Sequence, residues 1–299
     1  MSVIKTVLFE NYLSLQDAAR DRGWLRWRPL RKLSGSMYRR LRCGEELTMT
    51  CRGLAWTLDA DDPYFTRSLV IEGTHEPYET EYFLGLLLPG MTVVDVGAHV
   101  GWYTLLAAQR VGPAGRVIAF EPEPANYARL ERNVAASGYR HVITVPKAVA
   151  ERTRALTLFR DPGNSGGHSI ADCGNTRPAF TVEAVALDEY FGPEPPPVHV
   201  IKIDVEGAEC LAWRGMQRVL QRNPDLVLMM EFSPQALSQA GSSPEELWRM
   251  YCDAGFKPFR LHGETQRLLP VEFDELLHLC ERGDRHTNLF LSRHQEPQP

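Results

Sequence analysis

From Glu76 onward, the pattern of apolar positions predicts strands that alternate with helices. The apolar run TVVDVG at 92–97 predicts a buried strand, and apolar residues at helical spacing over 100–111 predict a helix after it. The runs at 116–122 and 141–150 predict a second and a third strand with a helix between them. Such alternation predicts an α/β fold with a doubly wound, mostly parallel sheet and a ligand crevice at the carboxyl ends of its strands.

After residue 150 this alternation is interrupted. A short strand (LTLF) leads into a glycine-rich loop at 160–178, whose composition suits a mobile flap. Two further strands end at Asp204 and Glu231, and one helix is expected between them. A helix that starts at the capping box Ser243-Pro244-Glu245-Glu246 comes next. The segments FKPFRL, QRLLPV and TNLFLS then offer closing strands.

The first eighty residues have a different character. The stretch from Arg20 to Arg42 is rich in arginine and includes Trp24, Trp27 and Tyr38. It is either a surface for an anionic substrate, partner or membrane interface, or an ordinary cap whose tryptophans pack in the core and whose arginines stay solvated, and the second interpretation is the simpler. Residues 45–72 look like strands. The sequence therefore predicts a small N-terminal α/β cap on the substrate side at 1–75, an α/β domain at 76–292 and a flexible tail at 293–299.

Composition limits the classes of protein to consider. The chain has 299 residues, 43% hydrophobic and 24% charged, which is typical of a folded globular protein. Its net charge is −5, so no overall attraction to nucleic acid or to an anionic membrane is expected. The six cysteines include no C-x-x-C pair, and no signal peptide or membrane-spanning run is visible. We therefore expect a cytoplasmic location without stable membrane insertion.

The turn after the first of these strands indicates which ligand the crevice takes. Asp95, Gly97 and Gly101 form a D-x-G-x-x-x-G pattern, whereas a dinucleotide site would show G-x-G-x-x-G. An acid at the strand end suits a ligand with an ammonium group better than a diphosphate. Glu121 ends the next strand, where a carboxylate can accept both hydroxyls of a ribose. A nucleoside linked to an amino acid fits both features, and S-adenosylmethionine is such a ligand.

Four segments carry a resemblance to a known family. GTHEPYETEYF, LLPGMTVVDVGAHVGWYT, VIAFEPEPANYARLERNV and IKIDVEGAE occur in this order, and over roughly residues 70–232 the chain resembles the FkbM family of S-adenosylmethionine-dependent methyltransferases. The resemblance implies a class I (Rossmann-like) methyltransferase fold over 76–292, with a seven-stranded sheet, helices on both faces and an antiparallel last strand. It also implies methyl transfer to an oxygen, typically a hydroxyl of a sugar or secondary metabolite.

The resemblance further implies a set of cofactor-binding residues: Glu76, Asp95, Gly97, Gly101, Glu121, Asn126 and Ala148. Asp95 and the two glycines would line the methionine and ribose part of the cofactor, and Glu121 would hold the ribose. Ala148 would meet the adenine, and Glu76 would close over the cofactor. This sequence departs from the family pattern at His99, where asparagine is more usual.

Methyl transfer to a hydroxyl requires a general base, because the hydroxyl proton must leave as the new bond forms. Three catalytic candidates stand out: Asp204 and Glu231 at strand ends, and His168 on the glycine-rich loop. Each has a plainer interpretation: Asp204 as a residue that caps a turn or orients the cofactor, Glu231 as a structural acid and His168 as a solvated loop residue. Glu206 and Glu209 are expected to serve the turn and helix start. Asp204 and Glu231 could hold a divalent cation, but no third ligand is evident, so no metal is predicted.

Other functional classes remain open at this stage. An NAD-linked oxidoreductase is disfavoured by the glycine spacing, and a nucleic-acid or amino-group methyltransferase by DVEG where N-P-P-Y would be expected. A catalytically inactive binding protein of the same fold would fail to bind the cofactor. The expected partner is a small-molecule or glycan acceptor and not a nucleic acid, and the oligomeric state is open, a homo-oligomer included.

Overall fold

A computed structural model describes residues 3–22, 24, 27–42, 44–161, 163–172, 177–263, 265–282, 286–294 and 296–297. The chain divides into two compact units. The smaller unit spans Met1–Pro77 together with Pro162–Gly166, and the larger one spans Tyr78–Asp161 and Gly167–Pro299. The domain limits predicted from sequence, with a boundary at 75 and a tail from 293, stay predictions.

The smaller unit is an α/β arrangement. Its elements are α1 (Val3–Asp21), α2 (Arg28–Leu41), β1 (Glu46–Cys51), β2 (Leu54–Asp59) and α3 (Phe65–Glu72). β1 and β2 form an antiparallel hairpin. Tyr12 of α1 donates a hydrogen bond to the carbonyl of Ser34 in α2 at 3.0 Å, and Tyr38 donates to the carbonyl of Ala60 at 2.8 Å. Buried tyrosine hydroxyls therefore tie α1 and α2 to each other and to the end of the hairpin.

One prediction in this unit is wrong. The segment RSLVIEG looks like a strand in the sequence, but it lies in α3. A short apolar run fits a buried helix as well as a strand, and periodicity alone does not separate them. The end of the segment decides the outcome: Gly73 takes a left-handed conformation with φ 71°, and its N–H donates to the carbonyl of Leu69 at 2.9 Å.

The larger unit carries the remaining elements. They are α4 (Pro77–Gly85), β3 (Thr92–Val96), α5 (Trp102–Val111), β4 (Arg116–Phe120), α6 (Pro124–Ser137), β5 (Val142–Val145), β6 (Ala148–Val149), β7 (Arg154–Phe159), β8 (Ala179–Val185), α7 (Leu187–Phe191), β9 (Val200–Ile203), α8 (Glu209–Arg214), α9 (Gln217–Arg222), β10 (Val227–Phe232), α10 (Pro234–Gln239), α11 (Pro244–Asp253), β11 (Lys257–His262), β12 (Arg267–Pro270), α12 (Phe273–Arg282) and β13 (Thr287–Ser292).

The central sheet has the order β12-β11-β13-β10-β9-β3-β4-β5. The five neighbouring strands β10, β9, β3, β4 and β5 pair in parallel. β13 runs antiparallel to both β10 and β11. This is the class I methyltransferase arrangement that the sequence predicts, with the expected antiparallel last strand. The sheet has eight strands and not seven, because β12 adds antiparallel to the outer side of β11.

Two predicted elements of this unit are each split in two. Residues 141–150 form β5 in the central sheet and β6 in a separate three-stranded sheet of order β6-β8-β7, because Pro146 between them has no N–H to continue the ladder. The single helix expected after Asp204 is α8 and α9, with a break at Gly215. A Cβ at Gly215 would lie 2.0 Å from the carbonyl oxygen of Ala150, so the chain passes too closely there for a side chain.

The core lies between the central sheet and its helices. Strands β3, β9 and β10 are apolar almost throughout, as parallel strands covered on both faces should be. The charged exceptions, Asp95, Lys202 and Glu231, stand at or near the carboxyl ends of these strands, which is where the sequence predicts the ligand crevice. Among the described helices, none is both long and apolar enough to cross a bilayer.

Candidate functional site

Gly97 brings the carboxyl ends of two neighbouring strands into contact. It has φ 82°, and a Cβ at this position would lie 1.8 Å from the carbonyl oxygen of Asp204. The amide of Asp204 in turn donates to the carbonyl of Val96 at 3.0 Å. The turn after β3 is therefore pressed against the turn after β9, and only glycine fits between them.

Gly101 serves a different contact. Its φ is 98°, and a Cβ there would lie 2.7 Å from a methyl carbon of Leu130. Gly101 precedes α5 and Leu130 lies on α6, so this glycine lets the start of α5 approach α6 closely. Both glycines predicted to line the cofactor occupy positions that another residue type would distort.

Asp95 is a buried carboxylate with one unsatisfied oxygen. The side chain is 1% exposed, and its Oδ2 accepts a hydrogen bond from the Thr104 hydroxyl at 2.6 Å. Its Oδ1 is buried and accepts no hydrogen bond within the described part of the chain. Burial raises the pKa of Asp95, while the charge of Lys202 lowers it. An orphaned buried oxygen of this kind fits a ligand that brings a donor or a positive charge.

Glu121 is held by two backbone amides. The N–H of His99 donates to its Oε2 at 2.8 Å, and the N–H of Glu123 donates to its Oε1 at 2.9 Å. Each oxygen keeps acceptor capacity for a further donor, such as a ribose hydroxyl. Burial raises the pKa of Glu121 to about 8. His99 has φ 53°, a left-handed conformation for which histidine is among the more tolerant residues, so its departure from the family pattern keeps the backbone contact.

The three other predicted cofactor residues occupy different surroundings. The buried Asn126 lies in the first turn of α6, where its N–H donates to Oε2 of Glu123 at 2.7 Å. Ala148 is half-buried and begins β6. Glu76 belongs to the smaller unit and has φ 43°. Their cofactor roles stay predictions.

Three acids form what we call the carboxylate cluster: Asp204, Glu206 and Glu231. One oxygen from each lies within 4.8 Å of the others. Glu206 has φ 50° and its pKa is raised to about 8, first by burial and then by the negative charges of Asp204 and Glu209. The sequence predicts that Glu206 serves the turn, but its side chain lies with the two predicted catalytic acids, Asp204 and Glu231. Glu209 does serve the turn, since its Oε1 accepts from the N–H of Gly207 at 3.1 Å.

Lys202 is a residue that the sequence analysis missed. It is 3% exposed, its Nζ lies 3.0 Å from Oδ2 of Asp204, and its ammonium stands 4.9 Å from the centre of the Tyr103 ring. In the parallel register it lies opposite Asp95. A buried ammonium thus lies between the end of β3 and the carboxylate cluster. The signal was present in the sequence, because Lys202 and Asp204 alternate with apolar residues and so share one face of the strand.

His168 lies in a separate polar network on the loop. Its Nδ1 accepts a hydrogen bond from the N–H of Asp161 at 3.1 Å, and its pKa is lowered chiefly by burial. The next residue reaches toward the cluster, since the Ser169 hydroxyl donates to the carbonyl of Glu206 at 2.7 Å. The structure therefore brings Asp204 and Glu231 together directly, whereas His168 is linked to the carboxylate cluster through its neighbour Ser169.

The carboxylate cluster also has the composition of a cation site. The sequence offered two oxygen ligands and no third, whereas the structure supplies Glu206 as the third. Carboxylate oxygens suit magnesium or calcium. Lys202 already places one positive charge against Asp204, so the cluster's charge is partly balanced by the chain itself.

The sheet order and the acids at its carboxyl edge define a class I methyltransferase fold. The family model described as "Methyltransferase FkbM domain" matches residues 95–258, more than half of the chain. The chain belongs to the FkbM methyltransferase family. The matched region contains Gly97 and Gly101 of the turn after β3, Glu121 and the whole carboxylate cluster.

Individual relatives are more distant. "Methyltransferase 1" of Beauveria bassiana is 28% identical over 144 residues, which are 42% of this chain and 57% of that protein. "Hexuronic acid methyltransferase AglP" of Haloferax volcanii is 25% identical over 163 residues, 54% of this chain and 61% of that protein. The chain thus spans less than two thirds of the length of either relative. A crystal structure of methyltransferase FkbM from Methylobacillus flagellatus aligns with a TM-score of 0.45 and 16% identity, covering 75% of this chain and 52% of that one.

Proposed function

We propose that this protein is an S-adenosylmethionine-dependent O-methyltransferase that methylates a hydroxyl of a sugar, small molecule or secondary metabolite. We call the turn after β3, with Gly97 and Gly101, the cofactor turn. One observation carries the proposal: Gly97 of the cofactor turn and Asp204 of the carboxylate cluster are in backbone contact at the carboxyl ends of β3 and β9. A ligand held by the first turn therefore lies beside a set of acids that can accept a proton.

The residues of the turn fit this cofactor. The orphaned Oδ1 of Asp95 suits the ammonium of a methionine group, and the two anchored oxygens of Glu121 suit the two hydroxyls of a ribose. Gly97 and Gly101 keep the backbone close, with no side chain of their own in the way. A dinucleotide would instead require hydrogen-bond donors to its diphosphate, and the carboxylate of the buried Asp95 would repel that diphosphate.

Bound S-adenosylmethionine supplies an activated methyl group, so what the chain must provide is alignment and a base. Asp204 is the best-placed base, because it is partly exposed and Lys202 holds its carboxylate in one orientation. Asp204 would take the acceptor's hydroxyl proton as that oxygen bonds to the methyl carbon, while the bond between this carbon and sulfur breaks and S-adenosylhomocysteine leaves. The neighbouring carboxylates of Glu206 and Glu231 stabilise a proton within the cluster, as the raised pKa of Glu206 indicates.

The acceptor class is proposed as a sugar hydroxyl. The relative from Haloferax volcanii is named as a hexuronic acid methyltransferase, which supports a sugar acceptor for this chain. The cluster favours a hydroxyl over a carboxylate acceptor for a chemical reason: a carboxylate is already ionised at neutral pH and needs no base. The proposal includes a cytoplasmic location, which suits the free thiols of Cys210 and Cys280.

The first experiment is calorimetric titration with S-adenosylmethionine, S-adenosylhomocysteine and NAD. We expect both sulfur ligands to bind, NAD to fail, and Glu121→Ala to lose the binding. Binding of NAD alone would favour an oxidoreductase, and binding of none of the three would leave a scaffold of the same fold.

The second experiment follows labelled methyl transfer to a panel of hexuronic acid glycosides and neutral glycosides. Mild alkali releases methanol from a methyl ester but leaves a methyl ether intact. We expect an alkali-stable product, which requires a hydroxyl acceptor. An alkali-labile product would place the methyl group on the carboxylate and remove the need for a base.

A further inference from the structure

The smaller unit exposes large apolar side chains next to its second helix. Trp24 and Trp27 precede α2, and Trp27 is 63% exposed. Leu33, on α2 itself, is 56% exposed, and Met37 one turn later is also exposed. Tryptophans packed in a core would be covered, as Trp56 of the same unit is. The interpretation of Trp24 and Trp27 as core residues is therefore wrong.

Helix α2 has two distinct faces. Its inner face carries Ser34 and Tyr38, which are buried and hydrogen-bonded to Tyr12 and Ala60. The residues opposite this face are exposed: Pro29, Lys32, Leu33, Met37, Arg39 and Arg40. Apolar and cationic side chains thus share the outer face, in place of the polar and mixed-charge residues usual on a solvated helix.

The charge of this segment is one-sided. Residues 22–44 contain eight arginines and lysines and neither aspartate nor glutamate, although the whole chain has a net charge of −5. Arg31 and Arg42 pair with acids elsewhere in the unit, at 3.6 Å from Glu72 and 3.3 Å from Asp61. Within the described residues, Lys32, Arg39 and Arg40 have no acidic partner, so their charges remain available on the outer face of α2.

We infer that the outer face of α2, together with Trp24 and Trp27, is a docking surface for the interfacial layer of an anionic phospholipid bilayer. Tryptophan favours the headgroup region, because its ring is apolar and its N–H stays hydrated. Leucine and methionine reach the acyl boundary, while lysine and arginine meet lipid phosphates. The attachment is peripheral, and it goes beyond the proposed methyl transfer without depending on it.

The mixture of side chains favours lipid over other anionic partners. A single-stranded nucleic acid would also match basic and aromatic residues, but its bases stack on rings and gain little from Leu33 and Met37. A protein partner with an acidic surface would leave both tryptophans against polar groups unless it offered its own apolar pocket. A bilayer interface accepts all three kinds of side chain at once.

The test is co-sedimentation of the full chain with vesicles of phosphatidylcholine alone and of phosphatidylcholine with about a third phosphatidylserine. We expect binding to the anionic vesicles, weaker binding as salt increases, and little binding to neutral vesicles. Removing three charges of this surface, by Lys32→Gln, Arg39→Gln and Arg40→Gln, should weaken binding about fivefold for each charge. The double variant Trp24→Ser, Trp27→Ser should weaken binding at least tenfold.

Leu88→Ser is the matched control, because Leu88 is 57% exposed in the larger unit and is not part of this surface. It should bind as the unchanged chain does. The inference is overturned if the full chain ignores anionic vesicles, or if Leu88→Ser weakens binding as much as the tryptophan variant. It is equally overturned if the tryptophan variant instead abolishes self-association or oligonucleotide binding, which would assign the surface to a second copy or to a nucleic acid.

Discussion

Lys202 donates a hydrogen bond from Nζ to Oδ2 of Asp204 at 3.0 Å, in an environment where the lysine is almost fully buried. The pair lies where β9 meets the carboxylate cluster, and Lys202 also faces Asp95 across the parallel register. The Lys202 ammonium therefore offsets negative charge both at Asp95 and at the proposed base, Asp204. Removing it would leave the buried Asp95 and the partly exposed Asp204 with less charge compensation, whereas removing Asp204 affects chemistry more than binding.

The substitution Asp204→Asn should separate chemistry from cofactor binding. Asparagine keeps the shape but cannot accept the acceptor's proton, so we expect kcat to fall about 10²- to 10⁴-fold. The Kd for S-adenosylmethionine should change little. Single-turnover methyl transfer and calorimetry measure the two quantities. Asp225→Asn, at a highly exposed acid, is the control and should leave both unchanged. An Asp204→Asn variant with normal kcat would assign the base to another residue.

Cofactor affinity should increase with pH up to about 8. The pKa of Glu121 is raised to about 8 in the free protein, so its carboxyl holds a proton at neutral pH. If the ribose hydroxyls bind the ionised form, that proton must leave on binding, and affinity rises about tenfold per pH unit below the pKa. Calorimetry in buffers of different ionisation enthalpy measures the proton released. Glu121→Gln should bind weakly and without this dependence. Equal affinity at pH 6 and pH 8 would contradict the ribose role.

Gly97→Ala should destabilise the fold more than an ordinary glycine substitution. The new Cβ would meet the carbonyl oxygen of Asp204 at 1.8 Å, on a backbone with φ 82°. The strain alone costs about 1 kcal/mol, and the clash adds several more, so we expect a loss of about 3 kcal/mol or more in the free energy of unfolding. Gly138→Ala is the control, because Gly138 has φ 70° and no atom within 4 Å of the new Cβ. Urea unfolding of both variants should give clearly different losses.

Glu206→Gln should stabilise the protein at alkaline pH. The pKa of Glu206 is about 8 in the folded state and 4.5 as its reference, so the folded chain binds the proton more tightly. The unchanged protein therefore loses stability as pH rises from about 4.5 through 8, and the glutamine variant avoids this loss. We expect the advantage to be almost absent at pH 4 and to grow by about 1.4 kcal/mol for each pH unit between about 4.5 and 8. Thermal unfolding across this range would contradict the assignment if the advantage were constant with pH.

Chelation should leave methyl transfer intact. The carboxylate cluster offers three oxygen ligands, but Lys202 already balances part of its charge at Asp204. We therefore expect activity to survive EDTA and dialysis, with no stimulation by added magnesium. A fall in activity that magnesium or calcium restores would show that the cluster holds a cation, with Glu206 as the third ligand that the sequence did not reveal.

The parts of the fold that depend on periodicity follow from the sequence. The strands β3, β4, β9, β10 and β13 and the helix α11 are each marked by a regular apolar pattern, so their types and order are predictable. Where the outcome depends on one distant contact, the prediction fails. Nothing near Gly215 in the sequence reveals that the carbonyl of Ala150 will approach it and divide a helix.

The same distinction holds for the candidate site. Asp204 and Glu231 could be identified because each ends an apolar strand, and the ends of parallel strands meet at one edge. Glu206 could not, because its place in the cluster depends on a left-handed backbone at a residue that is not glycine. The alternation in VIKID predicts that Lys202 and Asp204 share one face of the strand. A lysine is rarely buried unless it is paired, and the pairing of Lys202 with Asp204 is seen only in the structure.

The central sheet imposes an order on how the newly synthesised chain can fold. β13 lies between β10 and β11, yet both of these neighbours leave the ribosome before it does. Until Thr287–Ser292 emerges, β10 and β11 each present an open edge to the surroundings. A ribosome that pauses shortly before this segment therefore holds a nascent chain with the complete cofactor turn and carboxylate cluster but an unfinished sheet, the state most exposed to chaperone capture or aggregation.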